Sequence, residues 1–481
     1  MRDKYMAGKT ASLQTYPDQY LEYCWKLLIE NHPHDSICGS SVSPVHKEVD
    51  QRFRKVEQIA DQLAMEALVT LSYISNNQNN NYNPQSGFLK IFVYNSLTFT
   101  RNELVFVQLN IPSTTSGSSP QYDFKLVEEA TGEVVEHIIL SEEYSAFWYT
   151  LYDVEFREGG NGYNRLNIVF RAKTPSLGFS TYLFHYSNPK DFDNAKAKDK
   201  TAQKKSKTSA KLKNKYLSIN IGVASGTFNM TQLKTKRVFK KMNKLIYDRD
   251  VGNVYHYTPG GDTQEFIGES VTSEIKNNLF QLCTIKGKIK EQKVHLVYFL
   301  DMNKEMLEMR VVLNNKQNDW RMQATFPIPN SLVYNRLIVD SHFDVLKREE
   351  SYDSNPQNYF VDVFDKKTKN GLLFSNLGLP EYTSFRKDSQ KYYAITLLRA
   401  TGQMGDWGNF FFFYFFLKFY FLNIFFFFFR NIPCANCRRT WCTRAPILSN
   451  TTRLRDLLIR MQSIQIVVRI QQQASSSAIA L

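Results

Sequence analysis

No histidine occurs before His32, and no lysine after Lys418. Cysteine is nearly as sparse: upstream of the C-terminal region there are only Cys24, Cys38 and Cys283. That scatter builds no disulfide framework and points to a reducing compartment. The remaining three, Cys434, Cys437 and Cys442, form a Cys-x-x-Cys pair plus one, short of a fourth zinc ligand. The opening stretch "MRDKYMAGKTASLQTYPDQYL" has no apolar run of signal-peptide length. A cytoplasmic location is therefore expected, with a lytic compartment or a membrane as the alternatives. The turns "NPQSG" and "TPGGD" lack a following Lys-Ser/Thr, which excludes a phosphate-binding loop.

Aromatic residues are missing where basic charge is densest. The net charge is +14, yet about half of the excess sits between Lys190 and Lys215, with ten lysines against three aspartates. From Lys196 onward no ring separates those lysines, so nothing there stacks on bases. The run reads as a solvated loop or linker, and nucleic acid is not an expected partner.

What is present is a chain of 481 residues, enough for two to four domains with real cores. Leu21, Cys24, Trp25 and Leu28 recur at helical spacing after Pro17, and Pro33 ends that pattern. Ser43-Pro44 restarts a helix. Val45, Val49, Phe53, Val56, Ile59, Leu63, Ala67 and Leu71 continue it as one apolar stripe. An asparagine-rich linker, "NNQNNNYNPQSG", follows. Beyond it come short runs rich in Val, Ile, Phe and Tyr, such as "LKIFVYNSL", "ELVFVQLNI", "KVHLVYFLD" and "MLEMRVVLN". Many strands without intervening helices imply antiparallel sandwich architecture. The expected fold class is α+β, with a helical hairpin preceding β-sandwich domains.

Residues 409–429, "NFFFFYFFLKFYFLNIFFFFF", hold 13 of the 36 phenylalanines. Length and apolarity make the tract a transmembrane candidate, flanked by Arg430, Arg438, Arg439 and Arg444. From Arg430 to Leu481 there are eight arginines and no lysine. This switch in basic usage fits translation of a thymine-rich intron and an out-of-frame exon. A membrane partner is expected only if the tract is genuine.

The chemistry-bearing cluster is "NHPHDSICG", with His32, His34, Asp35 and Cys38 close in sequence and His46 in the following helix. His32 and His34 flank a proline and point in different directions, so at most one belongs to any site. Asp35 can accept hydrogen bonds from sugar hydroxyls. Cys38 and Gly39 suit a tight turn. Read alone, the cluster is a capped helix corner before it is a site, and Trp407 in "GDWG" is a core residue at a strand end rather than a sugar-stacking ring.

"WKLLIENHPHDSICGSSVSPVHKEVDQRFRKVEQIADQL", Trp25 to Leu63, resembles the middle-domain signature of glycoside hydrolase family 38, the zinc-dependent α-mannosidases. The likeness is greatest to the bacterial-type, mannosylglycerate hydrolase-like branch. Weaker similarities continue through "YNSLTFTRNELVFV", "LKNKYLSINI", "DVGNVYHYTP", "DSHFDV" and "LLRATGQMGDWG". One departure is Ser40, where that branch often shows a second cysteine. The resemblance implies that residues 1–75 are part of a three-helix middle domain. A linker at 76–87, a first β-sandwich at 88–189, a lysine-rich linker at 190–215 and a truncated C-terminal β-sandwich at 216–408 follow, before the aberrant 409–481.

It also implies a retaining α-mannosidase acting on terminal α-D-mannosyl linkages of a mannoside or mannosyl-glycan, with Zn²⁺ as cofactor. His34 matches a zinc ligand of the family and Asp35 a contact to mannose hydroxyls, while His32 has no ligand role. The other zinc ligands, the nucleophile and the acid/base belong to an N-terminal α/β domain. That domain is expected to be absent, since the 33 residues before His34 hold no His-x-Asp pair. Retaining hydrolysis needs two carboxylates, so the chain is expected to be inactive alone. The alternative is a non-catalytic carbohydrate-binding or interaction β-sandwich protein, membrane-anchored if the tract 409–429 is genuine.

Overall fold

The computed structural model describes residues 16–76, 87–112, 122–145, 147–149, 155–157, 163–187, 208–332, 337–365, 370–402, 420–427 and 465–470. They form a helical unit and a β unit.

The helical unit contains α1 (Asp18–Glu30), α2 (His34–Ile37) and α3 (Ser43–Asn76). On α1 the residues turned inward are Cys24 and Leu27, and they are continued one turn later by the buried Asn31. Three- and four-residue steps put all of these on one face. Among the described side chains of α3 the buried apolar ones include Val49 and Leu68. Trp25, expected in the inward stripe, is instead 61% exposed. The sequence offers two overlapping helical stripes, and packing selects the one running through Cys24, Leu27 and Asn31.

In the β unit every strand pairing among the described residues is antiparallel. The first sandwich sets a four-stranded sheet, containing Gly87–Asn95 and Gly178–Ser187, with a three-stranded sheet centred on Tyr163–Thr174. Leu89, Ile91, Leu109, Leu126, Ile168 and Phe184 are fully buried in its core. Four-, six- and nine-stranded sheets share a second and larger core. A third apolar cluster joins these regions, with Leu104, Phe106 and Val169 of the first packed with Phe280, Val297 and Phe299 of the second. The Arg171 guanidinium reinforces that junction by pairing with Asp301, both nearly buried.

Two expectations are corrected by the strand pattern. The segment 190–215 is not linker throughout, because Ser209–Lys213 is a strand in which Ala210 and Leu212 point into the core. The membrane reading of 409–429 also fails. Among the described residues no helix is long and apolar enough to cross a membrane. Within the tract, Tyr420–Phe427 is a strand of the nine-stranded sheet, paired with Met306–Leu313 on one side and Asn370–Asn376 on the other. Eight residues of the tract are thus held in a strand, where length and hydropathy alone suggested a membrane segment. Residues 409–419, 428–464 and 471–481, with Cys434, Cys437 and Cys442, lie outside the described residues, as does Trp407. Gln465–Ile470 pairs with Gly87–Asn95.

Candidate functional site at the helical corner

The corner is built from its backbone outward. α1 stops at Asn31 because Pro33 cannot continue it. The side chain of Asn31 then turns inward, where its Nδ2 donates to the Val49 carbonyl at 3.0 Å. Its Oδ1 accepts from Arg52 Nη1 at 3.4 Å. Arg52 also pairs with Glu30 at 3.3 Å and Glu48 at 3.0 Å. Asn31 and Arg52 thus clamp the end of α1 to the first turns of α3. Neither is obvious from the motif.

The next turn, α2, carries the cluster. His34 and Asp35 open it, and the imidazole Nε2 lies 3.3 Å from Asp35 Oδ1, with side chains 94% and 65% exposed. The Ser41 hydroxyl donates to the Asp35 carbonyl at 2.9 Å, tying the turn to the approach of α3. Cys38 is exposed, its thiol 3.3 Å from the Ser40 hydroxyl. Gly39 follows with φ +85°, a left-handed conformation that glycine adopts without strain. Gly39→Ala is expected to lower the stability of the helical unit by about 1 kcal/mol, measured by urea unfolding. His32 is exposed and takes no part in the His34–Asp35 ion pair. His46, in the first turn of α3, is half-buried.

The corner brings together one imidazole and one carboxylate. A protein zinc site uses roughly three or four donors converging on one point. Among the described residues no three His, Cys, Asp or Glu side chains are so grouped. The described residues therefore do not fit a complete zinc centre, although His34 has the chemistry of one ligand.

The α-mannosidase middle-domain family matches residues 3–71, which include the whole corner. A putative mannosylglycerate hydrolase from Halalkalibacterium halodurans is 24% identical over 455 residues, 81% of this chain and 48% of that protein. An α-mannosidase structure from Enterococcus faecalis superposes with a TM-score of 0.66 at 20% identity, covering 86% of this chain and 51% of that one. A family 38 glycosyl hydrolase structure from Enterococcus faecalis gives the same score and identity, with 86% and 52% covered. The chain spans about half the length of these relatives.

The helical corner and the antiparallel sheets that follow it have the architecture of the middle and C-terminal regions of glycoside hydrolase family 38. The chain is a distant relative of that family's α-mannosidases, of the mannosylglycerate hydrolase-like kind.

Proposed function

We propose that the chain carries part of the active site of a zinc-dependent, retaining α-mannosidase. In this reading His34 is one zinc ligand and Asp35 accepts hydrogen bonds from hydroxyls of a terminal α-mannosyl residue. The observation that carries the reading is the placement of these two side chains. They stand side by side and solvent-facing on a one-turn helix, with Asn31 anchored to Val49 just before it and the Ser41 hydroxyl bonded to the Asp35 carbonyl. A rigid mount of this kind holds a ligand and its sugar contact at a set separation.

Zinc, when bound, supplies a Lewis acid for substrate hydroxyls. The chain's own contribution is to present the His34 ring and to aim the Asp35 carboxylate beside it. Retaining hydrolysis also requires a nucleophile and an acid/base carboxylate roughly 5–5.5 Å apart. Beside His34 the corner places one carboxylate, Asp35, and the chain alone is expected not to hydrolyse α-mannosides.

Zinc titration followed by imidazole NMR tests the assignment. A weak perturbation centred on His34, lost in His34→Ala and kept in His32→Ala, is the expected result. Submicromolar binding that survives His34→Ala would overturn it, as would a response centred on His32.

A further inference from the structure

We propose that the outward face of the four-stranded sheet in the β unit is a docking surface for an anionic polysaccharide, a linear glycan bearing phosphate, sulfate or carboxylate groups. This goes beyond the mannosidase reading and is independent of it, because none of its residues belongs to the helical corner.

The sheet is a meander of Ser209–Lys213, Leu217–Gly222, Phe228–Gln232 and Val238–Met242. Successive side chains alternate between its two faces. One face is core, with Leu212, Ile219, Met230 and Phe239 fully buried. The other carries Lys211, Lys213 and Lys240 with Asn220 and Asn229 among them, all exposed. Register places Lys213 opposite Ser218 and Lys211 opposite Asn220. Asn220 and Ser218 in turn face Asn229 and Thr231. Rows of an ammonium group followed by hydroxyls or amides therefore cross the sheet.

The edge strand adds charge by a local irregularity. Its register against the neighbouring strand shifts between Phe228 and Met230, and Lys241 adopts φ +53°. The Lys241 N–H donates to Asn229 Oδ1 at 2.9 Å. A bulge breaks strict alternation, and here both Lys240 and Lys241 face solvent between the buried Phe239 and Met242. A second left-handed lysine, Lys236, sits in the connecting turn.

The sheet's own sequence supplies no acid to offset this charge. From Lys200 to Tyr247 the sequence contains neither aspartate nor glutamate. Elsewhere in the β unit lysines stand beside carboxylates, as in Lys244–Glu265, Lys276–Glu274 and Lys286–Glu269. Among the described residues, Lys211, Lys213, Lys240 and Lys241 have no ion-pair partner. Unmixed charge on one flat face repels itself and attracts a polyanion, with counterion release favouring binding.

The face also selects among polyanions. It offers no exposed ring on which a base could stack, as single-stranded nucleic acid requires. The Tyr216 ring at its margin lies under its own neighbour, Lys215. Hydroxyl and amide groups between the lysines match the hydroxyls and charged substituents of a glycan chain.

The test uses the full chain with phosphomannan as probe, and neutral mannan and a DNA duplex as comparators, at two salt concentrations. Phosphomannan is expected to bind and neutral mannan not. The combined variant Lys211→Gln, Lys213→Gln, Lys240→Gln and Lys241→Gln is expected to weaken binding by roughly tenfold or more and to flatten its salt dependence. All four side chains are exposed, so the fold should persist. A charge-matched variant with Lys190, Lys196, Lys198 and Lys200 each changed to Gln is expected to keep its affinity within about twofold. Undiminished binding by the sheet variant would overturn the proposal. So would equal binding of neutral mannan, or tighter binding of the duplex than of phosphomannan.

Discussion

Arg399→Ala is expected to destabilise the β unit by about 3–5 kcal/mol, the cost of stranding a buried charge. The stranded group is Asp250, whose side chain is 0% exposed and whose Oδ2 accepts from Arg399 Nε at 2.7 Å. Asp250 Oδ1 accepts from the backbone N–H groups of Gly252 at 2.9 Å and Thr258 at 3.1 Å. The guanidinium reaches further, donating to the carbonyls of Asn253, Val254 and His256. One planar fork thus fastens a whole loop to the strand Gln390–Ala400. The loop is tight enough that a Cβ at Gly252 would lie 1.9 Å from the His256 carbonyl oxygen, so backbone adjustment offers little relief.

Arg399→Lys keeps the charge but not the fork, and an intermediate loss of about 2 kcal/mol is expected. Urea unfolding of the full chain, followed by tryptophan fluorescence, reads both variants. Trp320 lies in the same sheet and is 1% exposed. A loss below about 1 kcal/mol for Arg399→Ala, a level typical of exposed pairs, would show that the pair behaves as a surface one.

How far the sequence carried depends on what each segment's pattern encodes. The helical corner was legible because Pro33, Gly39 and Ser43-Pro44 punctuate it within a few residues, and each acts through its own backbone. The interior turn α2 was less so, since a four-residue helix has no periodicity to detect. Asn31 escaped notice because its role depends on Val49 and Arg52, eighteen and twenty-one positions away. In the β unit, alternation revealed the strands but not their partners. "SAKLK" looked solvated because lysine count outweighed its two inward positions, Ala210 and Leu212. The phenylalanine tract shows the converse error, in which composition without alternation hid a strand inside a sheet. Of the site, His34 and Asp35 were marked by the family-like motif rather than by any ligand spacing. Their convergence with other donors is not a property that the described residues display.

A side chain whose energetics no sequence pattern announces is Asp362, on the strand Phe360–Asp365. Its ladder partners are Ile338 on one side and Leu373 on the other. Phe360 and Phe364 share its face at two-residue spacing. Gly371 lies close by, such that a Cβ there would stand 3.2 Å from Asp362 Oδ1. Asp362 is half-buried, and desolvation there, with no charge to offset it, pushes its carboxyl up to about 7 from an ordinary value of 3.8. The folded state therefore holds a proton that the unfolded chain releases. Between about pH 4 and pH 7 the native state binds more protons, so its stability falls as pH rises and levels off above about 7. Three units of displacement correspond to roughly 4 kcal/mol at most. Asp362→Asn removes the ionisable group while keeping its shape, and is expected to gain about 2–4 kcal/mol at pH 8 with little change near pH 4. Urea unfolding of both proteins at about pH 4.5, 6 and 8 spans the titration window and measures the difference. A gain that does not grow with pH would mean that Asp362 is charged in the folded protein, with water or a cation reaching it between the two strands.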